Sequence, residues 1–134
     1  MQYKDASFQR WLPTAADGGM YDVAEVHHNT DGLTLILTPD GPDRRSRTPH
    51  RLLLVWESAL ACQISNETYR EDCWISDPQE ARSFFVSRES SWLAACRAGS
   101  VLFPADAYHF LIVGTDMIAD VLAADYPIVT AEPM

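Results

Sequence analysis

Basic residues are scarce in this chain. Ten Lys and Arg stand against nineteen Asp and Glu, a formal charge of −9 over 134 residues. Four of the ten, Arg44, Arg45, Arg47 and Arg51, lie close together, and none follows Arg97. From Ala98 onward there are only acids: Asp106, Asp116, Asp120, Asp125 and Glu132. A surface of that sign repels phosphate backbones, so nucleic-acid binding is not expected, whereas steering toward a basic partner is favoured. Cysteine is equally sparse. Cys62, Cys73 and Cys96 are odd in number and have no C-x-x-C spacing, which argues against a disulfide framework or a zinc ribbon. Long apolar runs are missing too. Stretches such as Leu52 to Trp56 fall far short of the roughly 18 residues that span a bilayer, and Met1 to Ala6 is polar. The expectation is a cytoplasmic protein without membrane span, metal or cofactor.

The length suits one domain over residues 1–134, burying about two thirds of the surface that the unfolded chain exposes. Residues 1–20 read as an irregular arm anchored by Phe8, Trp11 and Leu12. Tyr21 to His28 and Leu33 to Thr38 are β-rich runs around Asn29-Thr30-Asp31-Gly32. With Asp31-Gly32 as the two-residue turn, Thr30 faces Leu33 and His28 faces Leu35. Pro39 to Pro42 ends this strand, and the Arg44–Arg51 segment reads as a solvated loop. Leu52 to Ser65 is one bent strand or two short ones, with Glu57-Ser58 as a bulge and Leu60, Cys62 and Ile64 on one face. Phe84-Phe85-Val86 is a buried strand. A helix follows over about residues 87–99, with Ser87 as cap, Glu89 at the positive end, Trp92, Leu93 and Cys96 as its stripe, Arg97 in the last turn and Gly99 as its stop. The fold class is therefore α+β, a mostly antiparallel sheet packed with one main helix.

The segment from Tyr108 to Ala123 admits two readings. As a helix, it starts at Asp116 with Met117, Ile118, Val121 and Leu122 as the stripe. As a C-terminal β-hairpin, it turns at Gly114-Thr115. The hairpin is preferred because both strands then have coherent faces. Tyr108, Phe110, Ile112, Met117, Ala119 and Val121 share one face; Leu111, Val113, Ile118 and Leu122 share the other with His109 opposite Asp120.

That His109/Asp120 pair has the composition of an acid–base dyad, since a carboxylate raises and orients an imidazole. A polar pair satisfied within a sheet is the commoner use. No nucleophile is fixed beside it by any G-x-S-x-G or linked cysteine–histidine motif. His27-His28, on adjacent strand positions, point to opposite faces and cannot easily share an ion. The acidic run holding Glu67, Glu71 and Asp72 lacks calcium-loop spacing. It serves as a partner contact or as a solvated turn around Arg70.

The Trp-containing run Leu52 to Ser58, Asn66-Glu67-Thr68, Ser90-Ser91-Trp92-Leu93, Tyr108-His109-Phe110, Asp116, and Ala119 to Ala123 followed by Pro127 together resemble small bacterial immunity proteins encoded beside polymorphic toxins. The resemblance covers residues 50–128; the first fifty carry none of it. It implies a non-catalytic cytoplasmic protein that binds and neutralises a cognate toxin domain without cofactor. An acidic surface suits a cation-rich toxin, and charge density points to Glu67, Glu71 and Asp72, with Asp116 as a second patch. The alternatives are an acidic binding module such as a secretion chaperone, or a small enzyme using His109 and Asp120.

Overall fold

The computed structural model describes residues 7–11, 13, 20–40, 50–70 and 84–133. Its fold is α+β, with two antiparallel sheets and one α-helix among the described residues. The first sheet has the order β1 (Gln9–Arg10), β6 (Phe84–Ser87), β7 (Tyr108–Val113), β8 (Met117–Ala123), β5 (Ala59–Asn66). The second has the order β2 (Met20–Asn29), β3 (Gly32–Asp40), β4 (His50–Trp56), β9 (Ile128–Pro133). Strands alternate their side chains between faces, and the inward set is apolar in both sheets. Leu33, Leu35 and Leu37 on β3 and Leu52, Leu54 and Trp56 on β4 meet Phe84, Phe110, Ile112, Ala119 and Val121 from the other sheet. Each Leu, Ile, Val and Phe of this set contributes roughly 1.5–3 kcal/mol when fully buried.

The helix α1 (Ser91–Gly99) lies on the outer face of the five-stranded sheet, where Leu93 packs with Leu122 and Ala107. It starts later than the sequence suggests. Ser87 is the last residue of β6, opposite His109, and its hydroxyl accepts the Glu89 N–H at 3.0 Å. Ser90 is the cap, accepting from Leu93 N–H at 3.2 Å. Strand pairing through Ser87 delays the helix by one turn.

The N-terminal arm, expected to be irregular over residues 1–20, contributes β1, which pairs Gln9 with Val86 and Arg10 with Phe85. Its Trp11 ring packs edge-on to Phe84 and Phe110. Glu57-Ser58 is not a bulge in a continuous strand but the corner at which the chain leaves one sheet for the other. The register shift in that region falls in β5 instead, between Ala59 and Ala61.

Both hairpins exist, and both turns differ from expectation by one residue at each side. In the first, Asn29 pairs with Gly32 and His28 with Leu33, so the turn residues are Thr30-Asp31. The Asn29 side chain accepts the Asp31 N–H at 2.8 Å. Gly32 sits just after the turn at φ +132°, where a Cβ would lie 2.5 Å from the Trp56 carbonyl oxygen; glycine is required there by backbone angle and by space. In the second, Gly114 N–H bonds to the Met117 carbonyl at 2.9 Å, and Val113 pairs with Ile118. The two-residue Gly114-Thr115 turn is thereby replaced by a longer loop, and residues 117–123 are strand, not helix. Each register moves by two positions next to its turn, which in the second hairpin leaves every side chain on the face assigned to it.

Candidate functional site

On the outer face of the five-stranded sheet, the corrected register puts His109 opposite Leu122 and Asp120 opposite Leu111. His109 and Asp120 are then diagonal neighbours on one face, a separation that long side chains bridge. They are joined at 2.7 Å, His109 Nε2 to Asp120 Oδ1. Both are buried, at 6% and 3% exposure. The pair expected from direct opposition is therefore present, formed by a different geometry.

Two residues that sequence reasoning left out complete the cluster. Ser90 Oγ lies 2.7 Å from His109 Nδ1, and Arg70 donates to Asp120 Oδ2 from Nη1 at 2.6 Å and to Oδ1 from Nη2 at 3.4 Å. The same Nη1 donates to Ser65 Oγ at 3.2 Å. A carboxylate only accepts, so the ring proton belongs on Nε2. Nδ1 and the Ser90 hydroxyl form a second hydrogen bond, while Ser90 Oγ accepts from Leu93 N–H. Burial pushes the Asp120 carboxyl up, but the hydrogen bonds from His109 and Arg70, with the charges of Arg70 and His109, outweigh it and hold the group below the usual aspartate range.

The ring of His109 is held edge-on between Phe8 of the arm, 4.9 Å away, and Trp92 of α1, 5.4 Å away. The cluster thus ties four parts of the chain together: arm, helix start, central hairpin and the turn carrying Arg70. Ser, His and Asp stand in a line, as in hydrolytic triads, yet the serine is only 1% exposed and its oxygen already caps the helix. A groove of about 430 Å³ bordered by Val86, Arg88, Glu89 and Tyr108 includes none of Ser90, His109 and Asp120 in its lining. Cys62, one strand over, is no activated thiol: burial pushes it up, and the Asp120 charge pushes it further.

The surface acids form a second arrangement. After β5 the chain makes a 3₁₀ turn over Glu67–Tyr69, capped by the Asn66 side chain, which accepts from Thr68 N–H at 2.9 Å. Glu67 N–H bonds to the Asp116 carbonyl at 2.8 Å. Two acids far apart in sequence, expected as separate patches, are brought to one corner. Asp22 of β2 joins them, its Oδ1 accepting from Asp116 N–H and Met117 N–H at 3.2 Å each. Gly114 leaves room for that carboxylate, since a Cβ there would overlap Asp22 Oδ1 and the Met117 carbonyl. Glu71 and Asp72 lie outside the described residues, as do Arg44, Arg45 and Arg47. Arg51 is the second residue of β4 and pairs with Glu132 at 2.8 Å. His27 bonds to Glu25 at 3.2 Å on an exposed face. No group of three potential metal ligands occurs among the described residues, and no helix among them is long and apolar enough to cross a membrane.

Ser90 stands directly before the helix in the sequence, but the cap was read at Ser87, which offers the same chemistry. Arg70 carried no signal beyond local pairing with its acidic neighbours. A scan against protein-family models, a search of curated proteins and a search of solved structures each find no match to this chain.

Proposed function

We propose that this chain is a non-catalytic immunity protein that binds and neutralises a cognate toxin domain in the bacterial cytoplasm through an acidic surface. The observation that carries the reading is the convergence of Glu67 and Asp116, with Asp22 behind them, at one corner of a molecule with a formal charge of −9. Opposite potentials raise encounter rates and fix register with a cation-rich partner. The buried Ser90–His109–Asp120–Arg70 cluster supports the same reading, because its polar atoms are used on one another and it contributes stiffness to the platform that bears the acids.

The test is co-expression with the toxin domain encoded immediately upstream, followed by pull-down. A tight complex and rescue of growth are expected, and replacing Glu67 and Asp116 together by Lys weakens binding about tenfold or more, most at low salt. Absence of both association and rescue sinks the reading.

The linear contact of Ser90, His109 and Asp120 at 2.7 Å per step favours one second reading, a small hydrolase that opens around Trp92. Ser90→Ala separates the two. An immunity protein retains toxin neutralisation, whereas a hydrolase loses all turnover of any ester it accepts.

A further inference from the structure

Sheets end in strands whose outer N–H and C=O groups lack a neighbour, and proteins protect such edges with short strands, charge, proline or bulges. Among the described residues the two sheets have four edges, and three are protected in these ways. β1 has two residues, one of them Arg10. β2 has a register shift between Val23 and Glu25 and carries Asp22, Glu25, His27 and His28. β9 ends in Glu132-Pro133, and proline removes an N–H.

β5 is different. Its eight residues, Ala59–Asn66, include no charge, proline or glycine. Beyond the irregularity at its start, Ala61 to Asn66 run in unbroken register with β8. Among the described residues β5 pairs with β8 alone. Two large apolar side chains on this strand are exposed, Leu60 at 39% and Ile64 at 36%. The strand also runs directly into Glu67, whose N–H bonds to the carbonyl of the exposed Asp116.

We propose that the outer edge of β5 accepts an extended segment of a protein partner as a sixth strand of this sheet, with a Lys or Arg of that segment set against Asp116. Main-chain hydrogen bonds along Ala61–Asn66 supply affinity, and apolar guest side chains cover Leu60 and Ile64. Charge complementarity selects a basic segment; a second copy of this chain would bring its own −9 to the contact. The inference rests on the toxin-binding reading for the identity of the partner, but not for the existence of the edge.

Hydrogen exchange of the full chain, alone and with the purified upstream-encoded toxin domain, reads the edge directly. In the complex, exchange slows at about every second amide of Ala61–Asn66, because alternate residues of an edge strand point their N–H outward. Ile64→Lys weakens the complex about tenfold, while Ile128→Lys on the β9 edge changes it by less than about twofold. If the two proteins associate but protection appears elsewhere, the edge proposal is overturned and the toxin-binding reading survives. If they do not associate, that reading fails. The edge is then decided with a synthetic Thr-Val-Thr-Val-Thr-Val-Arg-Lys peptide and its Glu-Glu-ended counterpart. NMR shifts centred on β5, stronger for the basic peptide, support the proposal; no shifts overturn it. It is also overturned if all amides of β5 are already protected in the isolated monomer, or only in a concentration-dependent dimer.

Discussion

Two Arg–carboxylate pairs bridge neighbouring segments of this molecule and differ chiefly in their access to water. Arg70 and Asp120 meet at 2.6 Å with side chains 17% and 4% exposed; Arg51 and Glu132 meet at 2.8 Å with side chains 40% and 39% exposed. The second is a pair between adjacent strands, in the register position where Arg51 of β4 faces Glu132 of β9. Water screens it, and ordering two long side chains offsets most of the attraction. The first closes a chain of buried groups through His109 to Ser90. Once Asp120 is out of water, its alternatives are poor, and each partner that it holds becomes costly to remove. Nearly equal bond lengths therefore correspond to different structural roles. One pair decorates a sheet, whereas the other joins the 3₁₀ turn, central hairpin and helix cap.

Removing Asp120 gives the largest effect. Asp120→Ala leaves the Arg70 guanidinium and the His109 Nε2–H without their acceptor in a largely dry site, and the expected cost is about 3–5 kcal/mol. Urea denaturation followed by tryptophan fluorescence measures it as a lower midpoint at unchanged slope. A cost under about 1 kcal/mol would place Asp120 in the same class as Glu132 and dissolve the contrast.

The sequence and the structure agree on faces and part on register, and one physical reason covers both hairpins. The period-2 alternation of Tyr108 to Val113 and Met117 to Val121 dictates which side chains meet the core. Sliding the pairing by two residues preserves that alternation, so it cannot choose between Asp120 and Leu122 as the partner of His109. What chooses is remote: Asp22 takes two N–H groups of the Asp116–Met117 loop, and the Trp56 carbonyl crowds the position of Gly32. The His109–Asp120 contact was legible because a two-residue slip turns an opposite pair into a diagonal one still within reach. Arg70 was not, since it comes from 50 positions away and is delivered by a turn whose anchor, the Asp116 carbonyl, is itself a tertiary contact. The meeting of Glu67 and Asp116 was hidden for the same reason.

Acid titration sharpens the comparison next. The Asp120 carboxyl is held below its ordinary range in the folded protein, so the unfolded chain binds its proton first as pH falls. The stability due to Asp120 is therefore fully present above the unfolded aspartate value of about 3.9 and drains away as pH drops through the lower folded value. Denaturation midpoints collected from pH 6 down to about pH 2 should fall steeply in the native chain. The fall should be shallower in Asp120→Asn, which starts less stable but has no proton to take up there. Parallel curves for the two proteins would mean that other acids carry the acid limb.

The smallest effect belongs to the exposed pair. Glu132→Gln keeps the side-chain shape on β9 and removes only the charge facing Arg51. With both side chains about 40% exposed, the expected loss is about 0–1 kcal/mol, shrinking further as salt is raised to about 1 M. The same salt series on Asp120→Ala should leave its larger deficit nearly unchanged, because ions do not reach a carboxylate whose side chain is only 4% exposed. Urea midpoints for the two variants, each referred to the native chain at low and high salt, provide the measurement. If the Glu132 deficit persists in high salt, the Arg51 pair is less accessible to water than its exposure implies, and the contrast between the two bridges becomes one of degree.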